Sequence, residues 1–145
     1  MKNIAVILAG GIGQRLGDST PKQFLKVAGK KVIEHTIDVF QNHPHIDEIV
    51  IVSNSDYVQE VENLAVKNEY SKLKKILQGG KERYHSSLAA INAYNDEVNL
   101  IFHDAVRPLV NDRIISDCIL ALEKYNAVDV AIPTTDTIIK VDDNG

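Results

Sequence analysis

The sequence predicts a doubly wound α/β domain, with a mainly parallel sheet and helices on both faces. Two observations carry this reading. Short aliphatic runs of strand length alternate with segments of helical spacing, the pattern of crossover units that build a parallel sheet. The strand runs are also nearly continuous in apolar residues, as strands covered on both faces are, whereas a half-exposed antiparallel sheet would alternate.

In chain order, Asn3 to Leu8 is the first strand, and it ends at a pair of glycines. Val32, Ile33, Thr36, Ile37 and Phe40 then recur at offsets of three, four and seven, which puts them along one helix face. Glu48 to Val52 is the second strand, followed by a helix carrying Val58, Val61, Leu64 and Ala65. Leu73 to Leu77 is the third, followed by helical spacing at Leu88, Ile91 and Tyr94. Asn99 to His103 is the fourth, followed by a helix with Ile114, Ile115, Cys118, Ile119 and Leu122. Val128 to Ile132 predicts a fifth strand and Thr137 to Val141 a further one, with Asp142 to Gly145 reading as a turn. A turn leads onward, so the expectation is one domain over residues 1–145 that lacks its C-terminal part.

Composition narrows the function. The 145 residues are 44% hydrophobic and 25% charged with a formal net charge of −4, an ordinary globular balance in the length range of one domain. A chain of this size buries roughly two thirds of its unfolded surface, enough to fold without disulfides. The acidic balance argues against general nucleic-acid binding, which draws on Lys and Arg to neutralise phosphates. The apolar run Ile4 to Ala9 is too short for a signal sequence or a membrane span, and Cys118 is the single cysteine, so a cytoplasmic protein is expected. Local charge differs from the whole. Between Gly11 and Lys31 the charged residues are Arg15, Asp18, Lys22, Lys26, Lys30 and Lys31, five positive against one negative, as expected of a stretch that meets a small anion.

Ligands of open α/β sheets bind at the carboxyl ends of the strands, and the richest such loop is the first, Ala9 to Gly17. Its glycines let backbone amides approach a phosphate, and Arg15 adds a guanidinium. A dinucleotide fingerprint is weakened because the sixth position from Gly11 is Leu16 and no acidic residue directly follows Val52. A P-loop is rejected for want of a Gly-Lys pair followed by Ser or Thr. A plain chain-reversing turn would leave Arg15 and Lys22 unexplained. The five histidines include His43 and His45 around Pro44, with no cysteine nearby to complete a zinc site, and a structural role is expected for them.

Leu8 to Gly17, followed by Pro21, Lys22 and Gln23, resembles the signature of the cytidylyltransferases that activate polyol phosphates, relatives of the Rossmann-like nucleotidyltransferases. The likeness continues through Gly79, Gly80, Lys81, Glu82, Arg83 and Ser86, through His103 to Pro108, and into Asp136 and Thr137. The family includes enzymes acting on methylerythritol phosphate and on ribitol phosphate.

The resemblance implies attack by a polyol phosphate oxygen on the α-phosphorus of CTP, with loss of pyrophosphate. It implies Arg15 and Lys22 as the catalytic pair, stabilising charge on the reacting phosphoryl group. Leu8, Ala9, Gly10, Gly11, Gly13, Gly80, Arg83, Ser86 and Asp104 would bind the nucleotide, and Arg107, Asp136 and Thr137 the polyol phosphate. Asp104 would also hold Mg2+, since a carboxylate beside a triphosphate needs a cation between them; its ordinary alternative is a cap or an Asx turn. Ser86 could equally serve as a helix cap. Lys81 stands where relatives often have an acidic residue.

The stretch Ala127 to Ile139 and Val106 within HDAVRP resemble the ribitol phosphate enzymes more than the methylerythritol phosphate ones. D-Ribitol 5-phosphate is therefore the expected acceptor and 2-C-methyl-D-erythritol 4-phosphate the alternative. Family members continue further, with a dimer arm and in some cases a fused reductase, so a homodimer and a reductase partner are implied. A nicotinamide-dependent oxidoreductase would leave Lys22 without a role. A truncated nucleotide-binding module without turnover is the alternative of another class.

Overall fold

A computed structural model of the chain describes residues 1–11 and 20–135. Four parallel strands form its sheet in the order β5-β4-β1-β6, where β1 is Lys2–Ala9, β4 Glu48–Ser53, β5 Leu73–Gln78 and β6 Val98–Asp104. A small antiparallel ribbon, β2 (Lys26–Val27) with β3 (Lys30–Lys31), lies between β1 and the first helix. Its tight turn uses positive φ at Ala28 and Gly29.

The helices are α1 (Val32–Asn42), α2 (Val58–Asn68), α3 (Arg83–Ile91) and α4 (Asp112–Leu122). They divide between the two faces as the uninterrupted apolar strands require. Side chains alternate along a strand, so Ala5, Ile7 and Ala9 of β1 and Ile49 and Ile51 of β4 point into one core with Ile33, Ile37 and Phe40 of α1, Val61 and Leu64 of α2 and Ile115 of α4. Ile4, Val6, Val50 and Val52 point to the other face, against Ala90 of α3. Each fully buried aliphatic side chain is worth about 1.5–3 kcal/mol.

Three differences from the sequence reading have physical causes. Val128 to Ile132 forms no strand; Val130 and Ile132 are exposed, 60% and 86%, and among the described residues nothing pairs with them. An aliphatic run records strand capacity, but a strand also needs a neighbour to bond. Helix α3 starts at Arg83, five residues before the first apolar position of its repeat, because its first turn faces the strand ends rather than the core. Ser86 is therefore inside the helix and not its cap; Glu82 occupies that position, its backbone N–H donating to His85 Nδ1 at 3.2 Å. The expected strand Thr137 to Val141 lies outside the described residues.

Candidate active site

Strand β1 lies between β4 and β6. The chain runs outward from β1 through β4 to β5, then returns to the opposite side of β1 as β6. This reversal opens a crevice at the carboxyl ends of β1 and β6, where open α/β sheets bind ligands. A cleft of about 350 Å³ lies there, lined by Leu8 to Gly11, Gln23, Gly80 to Arg83, Ser86 and Asp104 to Val106. Its size is at the lower end of the range for small-molecule sites.

The wall made by β1 is held by one buried side chain. Gln23, 2% exposed in the short 3-10 turn Lys22–Phe24, donates from Nε2 to the carbonyl of Ala9 at 2.9 Å and to that of Gly11 at 2.8 Å. Two backbone acceptors at the strand end, lost to the sheet ladder, are satisfied by one amide. Pro21, Gln23 and Phe24 are buried while Lys22 is exposed, so the turn anchors its apolar and amide members and leaves the cation in solvent beside the cleft.

The loop after β5 forms the second wall. Gly79 N–H donates to Ser53 O at 2.7 Å, continuing the pairing of β5 with β4 past the strand end. A Cβ on Gly79 would fall 2.6 Å from Ser86 Oγ, and one on Gly80 would fall 2.4 Å from His85 Cβ. Neither position has a positive φ, so glycine is needed here for space rather than for torsion. Ser86, 6% exposed, stands with its hydroxyl beside Gly79 and within 3.6 Å of where a Cβ on Gly10 would lie, which joins the two glycine walls. Ser53 Oγ, buried at the end of β4, has no hydrogen-bond partner among the described residues.

Asp104 closes β6 and forms the third wall. Ala105 N–H bonds Leu8 O at 3.0 Å, and Arg107 N–H bonds Asp104 O at 3.1 Å, so the segment turns sharply away from β1. The Asp104 carboxylate accepts from Arg83 Nη1 at 2.6 Å on Oδ1 and from Arg107 Nε at 3.0 Å on Oδ2. It is the partner of two cations rather than a cap. His103 Nε2 lies 2.9 Å from Arg107 O, and its ring packs against Phe40, the structural part expected of it.

The structure thus brings Leu8, Ala9, Gly10, Gly11, Gly80, Arg83, Ser86 and Asp104 to one cleft, with Arg107 reaching it through Asp104. Lys22 is adjacent, one residue from the lining Gln23, and is not itself in the lining. Arg15, Gly13, Asp136 and Thr137 lie outside the described residues. The clasp made by Gln23 was not readable from the sequence, where Gln23 was only a neighbour of Lys22, because the carbonyls it holds lie 12 and 14 residues back along the chain.

Among the described residues no three His, Cys, Asp or Glu side chains gather as a metal cage. The cleft offers the carboxylates of Asp104 and Glu82. That donor set fits a hard cation such as Mg2+, which takes one or two carboxylates together with substrate phosphates, and does not fit zinc. The start of α3 at the cleft, with Lys81 and Arg83 on the same wall, adds helix-dipole and side-chain charge that favours an anion.

The profile of one protein family, IspD, 2-C-methyl-D-erythritol 4-phosphate cytidylyltransferase, matches residues 3–145. The chain is 53% identical over 146 residues to the bifunctional ribulose 5-phosphate reductase/CDP-ribitol pyrophosphorylase of Haemophilus influenzae, covering 99% of this chain and 31% of that protein. It is 41% identical over 140 residues to the 2-C-methyl-D-erythritol 4-phosphate cytidylyltransferase of Thermobifida fusca, covering 94% of this chain and 56% of that protein. Its fold is similar to the crystal structure of 4-diphosphocytidyl-2C-methyl-D-erythritol synthase from Anaerococcus prevotii, with a TM-score of 0.83, 28% identity and coverage of 99% of this chain and 60% of that one. The chain therefore spans about a third to three fifths of the length of these relatives.

Proposed function

The chain belongs to the IspD family of cytidylyltransferases, and from that premise we propose that it transfers CMP from CTP to a polyol phosphate, D-ribitol 5-phosphate, giving CDP-ribitol and pyrophosphate. The observation that carries this reading is the meeting of three strand-end segments, Ala9 to Gly11, Gly80 to Arg83 with Ser86, and Asp104, around one crevice. The ribitol acceptor is favoured by the 53% identity to a protein whose name includes CDP-ribitol pyrophosphorylase. The coarser family description and the Thermobifida fusca relative keep 2-C-methyl-D-erythritol 4-phosphate as the second acceptor.

In this reading the glycine walls admit the flat cytosine and ribose against backbone, and Ser86 supplies a hydroxyl to the nucleoside. Lys22 and Arg15 bear on the triphosphate, where charge grows on the α-phosphoryl group as the polyol phosphate oxygen attacks and pyrophosphate departs. No covalent enzyme intermediate is required; positioning and charge neutralisation lower the barrier. Asp104 is the residue that would hold Mg2+, which when bound draws the phosphate oxygens together and offsets their charge. Arg107, with Asp136 and Thr137, orients the acceptor phosphate. A homodimer and a reductase that supplies ribitol phosphate, the second activity in the Haemophilus influenzae protein's name, are the partners this reading implies. No helix among the described residues is long and apolar enough to cross a membrane.

The test is pyrophosphate release with CTP and Mg2+, run in parallel on D-ribitol 5-phosphate and 2-C-methyl-D-erythritol 4-phosphate. Release with the first and not the second is expected. Release only with the second moves the assignment to the methylerythritol acceptor, and CTP binding without release on either leaves a nucleotide-binding module.

A further inference from the structure

We propose that Arg83 is a positioning residue that holds the Asp104 carboxylate in the cleft and yields it when a divalent cation enters with the nucleotide. The inference rests on the cytidylyltransferase reading above.

The two residues belong to opposite walls. Arg83 is the first residue of α3 and Asp104 the last of β6, and their contact, Nη1 to Oδ1 at 2.6 Å, spans the crevice between them. The side chain of Arg83 is 69% exposed and that of Arg107 75%, against 19% for Asp104. Ion pairs with such solvated partners add little to the stability of a fold. The contact therefore matters to the cleft more than to the core.

A lone carboxylate on the floor of a site for a triphosphate would repel it. Two guanidiniums on one carboxylate leave that wall with surplus positive charge instead. The two arginines are not equivalent. Arg107 is three residues from Asp104 in the same turn and moves with it. Arg83 comes from the facing helix, so its side chain can swing away without disturbing the turn. With Oδ2 held by Arg107, a cation that enters at Oδ1 competes with the Arg83 guanidinium for that oxygen. Arg83 keeps the carboxylate aimed into the cleft until that exchange.

The experiment is calorimetric titration of CTP into the wild-type chain, Arg83→Gln and Arg83→Lys, each in EDTA and in Mg2+. In EDTA, Arg83→Gln is expected to weaken CTP binding about fivefold, the size of one exposed charge interaction, while in Mg2+ the loss stays below about twofold. Arg83→Lys restores the metal-free affinity. An equal loss in both conditions, the mark of an arginine that grips the nucleotide directly, overturns the proposal, as does no loss in either. Arg83→Met, which keeps the apolar stem of the side chain, supplies a second route should Arg83→Gln melt early and is held to the same outcomes. With Asp104→Asn neutralising the carboxylate, adding either Arg83 substitution should change metal-free binding no further, and an additional loss there overturns the proposal. A wild-type chain that binds no CTP in either buffer instead removes the nucleotide reading and this inference together.

Discussion

Thr36 of α1 donates its hydroxyl to the carbonyl of Ala105 at 3.0 Å, with both residues buried at 0% and 1% exposure. This bond passes through the core and fixes the residue that follows Asp104, so the third wall of the cleft is set by a helix on the far side of the sheet. Thr36→Val keeps the shape and deletes the donor, leaving a buried acceptor. It should cost about 1–3 kcal/mol in urea unfolding and weaken CTP binding, while Thr36→Ser retains both.

Gln23 offers two N–H donors to two carbonyls, and no other side chain of its size does this in the same place. Gln23→Glu removes both donors with little change in volume. Turnover should drop at least about tenfold, because a misplaced strand end disturbs the positioning on which the reaction depends; steady-state kinetics beside a thermal melt measures it. Unchanged kinetics would show that the strand end holds its shape alone.

Gly79→Ala brings a Cβ within 2.6 Å of Ser86 Oγ, with Val52 Cγ1 at 3.3 Å and Ser53 O at 3.4 Å. Overpacking of this kind costs about 1–3 kcal/mol. Adding Ser86→Ala removes the nearest atom, so the double variant should recover part of the loss, a non-additivity that chemical denaturation can read.

Lys22 is exposed and its neighbours carry the packing. Lys22→Ala is therefore expected to leave the melting temperature within about 2 °C of wild type, a surface-sized change, and to lower kcat by orders of magnitude. Arg15→Ala should follow the same pattern. A parallel loss of fold and rate would make either residue structural.

Glu34, 2% exposed on α1, feels burial, which alone would push its carboxyl up. The Lys31 N–H at 2.7 Å, Asn68 Nδ2 at 2.9 Å and Lys67 Nζ at 3.3 Å outweigh burial and hold it below the usual carboxylate range. A carboxyl whose folded value is depressed contributes stability that is present above its unfolded value and is lost as pH falls through the folded one. Wild type should therefore lose stability below about pH 4.5, the ordinary carboxylate value, more steeply than Glu34→Gln, and melting curves against pH would show the two converging in acid.

The strands that build the site were legible because burial on both faces writes itself as uninterrupted aliphatic residues. Lys2–Ala9, Glu48–Ser53, Leu73–Gln78 and Val98–Asp104 extend the expected runs by no more than two residues. Helices α1, α2 and α4 were legible from period alone, and the glycines from their strand-end positions. What depended on distant partners was not. Arg83 reaches Asp104 across 21 residues and Thr36 reaches Ala105 across 69, and neither separation leaves a local trace. The run Val128 to Ile132 misled for the converse reason, since local preference says nothing of whether a neighbour is at hand.

The amide of Gln23 also draws a chord across the chain, from position 23 back to Gly11. Tethering the ends of a twelve-residue arc costs about 2 kcal/mol in length-dependent loop entropy. Here folding settles that cost before any substrate arrives. An incoming nucleotide meets a strand end already pinned at Ala9 and Gly11, and less of its binding free energy is diverted into ordering that wall.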